Sequence, residues 1–185
     1  MKRLMDNKNI EKKTILEGKF EDIIQINDHY YIISKKNRIA VLPYTISSQG
    51  LLNDVGVIYD YNYVDEKNFF TLINGYINTD DTTDLVCANR LLFEIIGTNI
   101  KTALKWSYLG TLFNNLTSDS PIKIYAVDIT GVQIKEDEEV EEKSERKKFK
   151  LINSSRVLQT DDSLLLSSYL RLFEHFYVTS LDKQK

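Results

Sequence analysis

One change of period constrains this chain more than any other feature. β-type segments run from Ile15 to residue 73 and again over residues 106–132, but across residues 80–96 the apolar repeat lengthens, placing Leu85, Ala88, Leu92 and Ile96 on one helical face. A second stripe, Leu165, Leu166, Tyr169, Leu172, Phe173 and Phe176, predicts a closing helix over residues 163–178. Strands interrupted by one amphipathic helix, resumed, and followed by another bury their sheet under helices, which predicts an α/β (α+β) domain.

The punctuation agrees with this reading. Residues 23–26, 30–34 and 38–45 read as three strands separated by turns at Asn27-Asp28 and Lys36-Asn37, a hairpin pattern. Residues 51–63 read as a long strand with an irregularity at Gly56, and residues 69–73 as a short one. Asp80, Asp81, Thr82 and Thr83 supply capping oxygens for the first helix and Gly97 a permissive stop, while Asp161 or Asp162 caps the second. Residues 106–113 and 122–132 are the later strands. Residues 1–14 read as a polar N-terminal arm, and residues 15–180 as a single domain carrying a charged insertion at 135–150, acidic in its first half and basic in its second.

Composition removes several function classes. The net charge of -3 offers no basic surface for nucleic acid, and no apolar run approaches the roughly 20 residues needed to span a bilayer. The polar start lacks the apolar core of a secretory signal. Cys87, the sole cysteine, lies in an apolar run and is expected in the core of a protein from a reducing compartment. His29 and His175 have no Cys or His neighbours at metal-binding spacing and are read as packing or surface residues. A phosphate-cradling loop, a zinc ribbon and a nucleophile elbow need glycines, cysteines or a Gly-x-Ser-x-Gly run that the chain does not have. The abundance of Lys, Asn, Ile and Tyr suggests an A+T-rich coding sequence, as in some bacteria and many phages.

The segment Phe70-Thr71-Leu72-Ile73-Asn74-Gly75, followed by a helix ending Arg90-Leu91-Leu92-Phe93-Glu94-Ile95-Ile96-Gly97, resembles the Nudix hydrolases. Their signature runs Gly, five residues, Glu, seven residues, Arg-Glu, an aliphatic residue, any residue, Glu-Glu, any residue, Gly. Gly75, Arg90, Leu92, Glu94 and Gly97 fall into place with one extra residue between Gly75 and Arg90. Arg38-Ile39-Ala40-Val41-Leu42-Pro43, Trp106 to Gly110 and Ile122 to Val127 are similar to strands of the ADP-ribose pyrophosphatase branch, so the resemblance runs from about Phe20 to Phe176. It implies a Nudix-type mixed sheet sandwiched between helices.

In that family the box carboxylates hold Mg²⁺ beside a substrate diphosphate, because a hard cation prefers oxygen ligands. Here Leu91 and Ile95 stand at two of those positions and Glu94 alone is kept. Asp81 takes the place of the first signature Glu, with Asp80 or Asp84 available to shift inward. The resemblance therefore implies a degenerate box: a non-catalytic Nudix-fold module, structural or interacting with protein partners in an assembly such as a phage virion, and without a cofactor. The alternative is a divergent Mg-dependent hydrolase of ADP-ribose-like compounds, with Glu94 and Arg90 catalytic and Glu94, Asp81 and Asp84 on the metal. Leu91 and Ile95 are the candidates for an interaction face, Arg90 and Glu94 also read as a surface ion pair, and a homo-oligomer is compatible with the pattern. The expected location is cytoplasm or virion.

Overall fold

The computed structural model describes residues 12–62, 66–97, 104–113, 121–134 and 148–182. The first three strands, β1 (Lys12–Glu17), β2 (Glu21–Ile26) and β3 (His29–Ser34), form an antiparallel meander. Asn27 and Asp28 make the two-residue turn between β2 and β3, with Asn27 at φ 54°, a left-handed conformation that Asn tolerates better than most residues. β1 takes in residues 12–14 of the expected arm, and the rest of the arm lies outside the described residues. The expected hairpin across Lys36-Asn37 does not form, because the next strand joins a different sheet. Phe20 stacks on Tyr76 at 4.6 Å, and the Tyr76 hydroxyl donates to Glu21 Oε1 at 3.0 Å, tying the meander to the main body.

The main sheet has seven strands: β4 (Arg38–Ile46), β5 (Leu52–Asn62), β6 (Lys67–Thr71), β7 (Ile73–Tyr76), β8 (Lys105–Phe113), β9 (Pro121–Asp128) and β10 (Lys148–Asn153). Its main path runs β10-β5-β4-β9-β8, with β6 beside β5 and β7 beside β4. Among the described strands of this sheet only β4 and β9 pair in parallel. The expected strand over residues 69–73 is thus two, because its first half pairs with β5 and its second half with β4. β10 and the 3-10 turn that follows it (Ser154–Gln159) were not expected from the sequence, since β10 begins inside the charged segment. Residues 135–147 of that segment lie outside the described residues.

β4 is buried on both faces, which explains its near-continuous apolar composition. Alternate side chains go to opposite layers. Ala40, Leu42 and Tyr44 meet helix α2 (Ser163–Asp182), where Leu165, Tyr169 and Leu172 complete one core. Ile39 and Val41 meet helix α1 (Asp84–Ile96), where Cys87, Ala88, Leu91, Leu92 and Ile96 complete the other. The architecture is therefore a mixed sheet between helices. Pro43, which has no amide hydrogen, lies in the gap where β4 exchanges β7 for β5 along one edge, so no ladder bond to either neighbour is missing there.

α1 begins later than expected, with Thr83 as N-cap accepting from the Val86 amide and Gly97 closing it at φ 66°. Its buried stripe is also rotated from the one read in the sequence: Cys87 and Leu91 point inward, while Leu85, in the first turn, is 42% exposed. α2 is capped by Asp162, whose Oδ1 accepts from Leu165 N at 2.7 Å, as expected. Among the described residues no helix is long and apolar enough to cross a membrane.

Gly56, expected to mark an irregularity, sits in regular pairing with Leu151; the break in β5 pairing falls instead opposite Tyr44 and Ile46. The glycine is required by packing. A Cβ there would stand 2.6 Å from Phe149 Cζ and 2.9 Å from Pro43 Cβ. Gly56→Ala is expected to lower stability by about 1–3 kcal/mol through overpacking, read as a reduced denaturant midpoint with an unchanged slope.

Candidate functional site

The box of the sequence resemblance folds as β7, a turn and α1. The turn is organised by Asp81, whose Oδ2 accepts from the backbone amide of Asn78 at 2.7 Å. Arg90, two turns into α1, reaches back to it with Nε at 3.0 Å from Oδ1 and Nη2 at 2.7 Å from Oδ2, a bidentate fork matched to the planar guanidinium. The same Nη2 donates to Tyr76 O at 3.1 Å, and Nη1 donates to Glu94 Oε1 at 3.0 Å. Arg90 therefore joins strand, turn and helix.

The Asp81 side chain is 3% exposed, so its charge depends on that partner. The Arg90 guanidinium, with the Asn78 amide helping, holds the Asp81 carboxyl well below the usual carboxylate range despite burial, and Asp81 raises Arg90 in turn. Burial pushes the nearby Cys87 thiol up to about 11, consistent with its place in the core. Asp84 makes a different pairing. Its Oδ2 accepts from Lys123 Nζ at 2.5 Å and lies 3.5 Å from the Tyr125 hydroxyl, both side chains coming from β9.

The structure thus brings together Asp81, Arg90 and Glu94 but sends Asp84 to Lys123. Asp80 is exposed, and Glu94 is 54% exposed with only Oε1 engaged by a described partner. Leu91 is 7% exposed and lies under β7, its Cδ2 2.5 Å from where a Cβ on Gly75 would be. The chain's own core takes up Leu91, and of the two interface candidates Ile95 alone keeps partial exposure. His29 and His175 are exposed and on separate elements, β3 and α2.

A divalent cation of the Nudix kind does not fit these donors. Both Asp81 oxygens are held by one guanidinium, Asp84 by an ammonium, and Glu94 shares Arg90. Among the described residues no three His, Cys, Asp or Glu side chains converge.

On the α2 side of the sheet lies a polar cleft of about 350 Å³ that the sequence reading did not single out. Arg38 and Asn74 line it from β4 and β7, Lys67 and Phe69 from β6, and Asp161 and Ser163 from the start of α2. Arg38 Nη2 donates to Asn74 Oδ1 at 2.7 Å and the guanidinium stands 5.5 Å from the Tyr76 ring centroid. Its Nε is buried without a hydrogen-bond partner among the described residues, a donor position that costs free energy unless something accepts from it. Lys67 Nζ is 3.1 Å from Asp161 Oδ2 in an exposed ion pair. The available sequence signal was a lone arginine opening the most apolar strand of the chain.

Two substitutions test this geometry. Asp81→Asn is expected to cost about 2 kcal/mol near neutral pH. Because the folded-state pKa of Asp81 is depressed, that contribution is complete above the unfolded value of about 4 and fades as pH falls below it, so melts of the two proteins should converge in acid. Leu91→Glu, which introduces the signature residue, is expected to destabilise by about 3 kcal/mol or more because the carboxylate would be buried without a partner. Near-neutral stability in that variant would show an open cleft rather than a packed one.

No protein-family profile matches the chain, and no curated protein matches it. Solved structures do. A crystal structure described as an ADP compounds hydrolase superimposes with a TM-score of 0.60 at 15% identity, covering 91% of this chain and 93% of that one. A NUDIX hydrolase from Listeria monocytogenes gives 0.57 at 13% identity over 78% and 97%. The NUDIX domain of Shewanella oneidensis NrtR, solved with ADP ribose, gives 0.56 at 18% identity over 77% and 88%. With its sheet between α1 and α2 and its box of strand, turn and helix, the chain has the Nudix fold.

Proposed function

We propose that this chain recognises a nucleoside diphosphate joined to a second group, in the manner of a divergent Nudix hydrolase. The observation that carries this reading is the polar cleft lined by Arg38 and Asn74 on the α2 side of the sheet, where Arg38 Nε is buried without a hydrogen-bond partner among the described residues. Arg38 and Lys67 suit phosphate oxygens, the Phe69 ring suits a base, and Asp161 suits the hydroxyl or amino donors of a nucleoside. Similarity to an ADP compounds hydrolase over nearly the whole chain, and to a domain solved with ADP ribose, supports the same class of ligand. Glu94 stands on α1, on the opposite face of the sheet from this cleft, so the cleft supports recognition of the ligand rather than its cleavage.

A second reading, a non-catalytic module that binds protein partners, is favoured by the outer face of α2. Leu170, Phe173 and Tyr177 recur there at helical spacing and are 51%, 54% and 60% exposed.

Calorimetric titration with ADP-ribose, alongside an assay for released product, separates the two. Saturable binding that weakens about tenfold or more in Arg38→Ala is expected. Product release that falls in Glu94→Gln would add hydrolysis to recognition. Absence of ADP-ribose binding, or equal affinity in Arg38→Ala, would leave the interaction module as the better account.

A further inference from the structure

Asp81 and Asp84 at the start of α1, and Glu94 near its end, are met by cations from within the chain. Asp81 has both oxygens committed: Oδ1 to Arg90 Nε, and Oδ2 to Arg90 Nη2 and the Asn78 amide. Asp84 is met by Lys123, delivered across the sheet by β9 with the Tyr125 hydroxyl beside it. Glu94 shares the third arm of the Arg90 fork. The Leu91 side chain occupies the space between α1 and Gly75.

We infer that Lys123, a counter-ion from outside the box, takes the place of a divalent cation beside Asp84 while the signature arginine Arg90 holds Asp81 and Glu94, so that α1 docks without metal. A hard cation needs several oxygens with free lone pairs and repels fixed positive charge nearby. To enter here it would have to break a bidentate guanidinium pair and displace an ammonium, and would still be left beside both cations. The two built-in charges perform the structural part of a metal's task, neutralising the acids and fixing the helix to strand and turn. Lys123 is the more telling of the two. It belongs to a different element from the box and is matched to Asp84 by tertiary folding alone.

The test needs no nucleotide and is therefore independent of the reading of the cleft. The intact chain is titrated calorimetrically with Mg²⁺ alone and Mn²⁺ alone, and its melting is compared in EDTA and in millimolar metal. An unchanged Tm without saturable heat is expected. Saturable binding that survives in both Asp84→Asn and Glu94→Gln would put the ion elsewhere on the chain and uphold the inference. Binding that raises Tm and disappears in either variant would overturn it. As a second measurement, Lys123→Met is expected to lower Tm by about 2–4 °C, with most of the loss recovered when Asp84→Asn is added to it. Simple addition of the two effects would overturn the role given to Lys123.

Discussion

Burial of β4 on both faces is the constraint from which the rest of the molecule follows. A strand with Ile39 and Val41 on one side and Ala40, Leu42 and Tyr44 on the other cannot lie at a surface, so a layer must cover each face. α1 and α2 are those layers. Their buried stripes, Cys87 to Ile96 and Leu165 to Leu172, are the complementary halves of two cores separated by one sheet. The parallel pairing of β4 with β9 then brings Lys123 and Tyr125 to the α1 side, within reach of Asp84.

The box positions that match the signature serve structure in this fold. Gly75, Arg90 and Gly97 serve local geometry: close packing under β7, a fork that ties turn to helix, and a left-handed helix stop. None of those roles needs a metal. The positions that would have gathered carboxylates hold Leu91, buried, and Ile95, half-buried, and hydrocarbon there adds to the α1 core. Function in this fold depends on the site rather than the frame. In this chain the polar cleft around Arg38 is walled by side chains of β4, β6, β7, β9 and the start of α2.

Much of this was legible in the residues. The two helices, several of the strands and the core position of Cys87 follow from periodicity, capping residues and apolar neighbours, which are local properties of a sequence, and the Nudix resemblance rests on the residues of the box itself. Legibility failed where a choice depended on distant partners. Residues 69–73 look like one strand because composition does not reveal that its two halves pair with different neighbours. β10 was hidden because its first residues, Lys148, Phe149 and Lys150, continue a charged run, and only pairing with β5 makes them a strand.

The sequence by itself determined the two helices, several of the strands and the placing of Leu91 and Ile95 where the signature has Glu, since each rests on residue identity at fixed separation. The tertiary structure alone decided where the remaining charges go. Asp81 and Arg90 are 9 residues apart and Asp84 and Lys123 are 39 apart. Which acid meets which cation is set by a turn and by sheet register, so carboxylates that read as metal ligands in the sequence become halves of ion pairs in the fold. The same holds for the cleft, whose walls come from four separate stretches of chain that meet only when the sheet closes against α2.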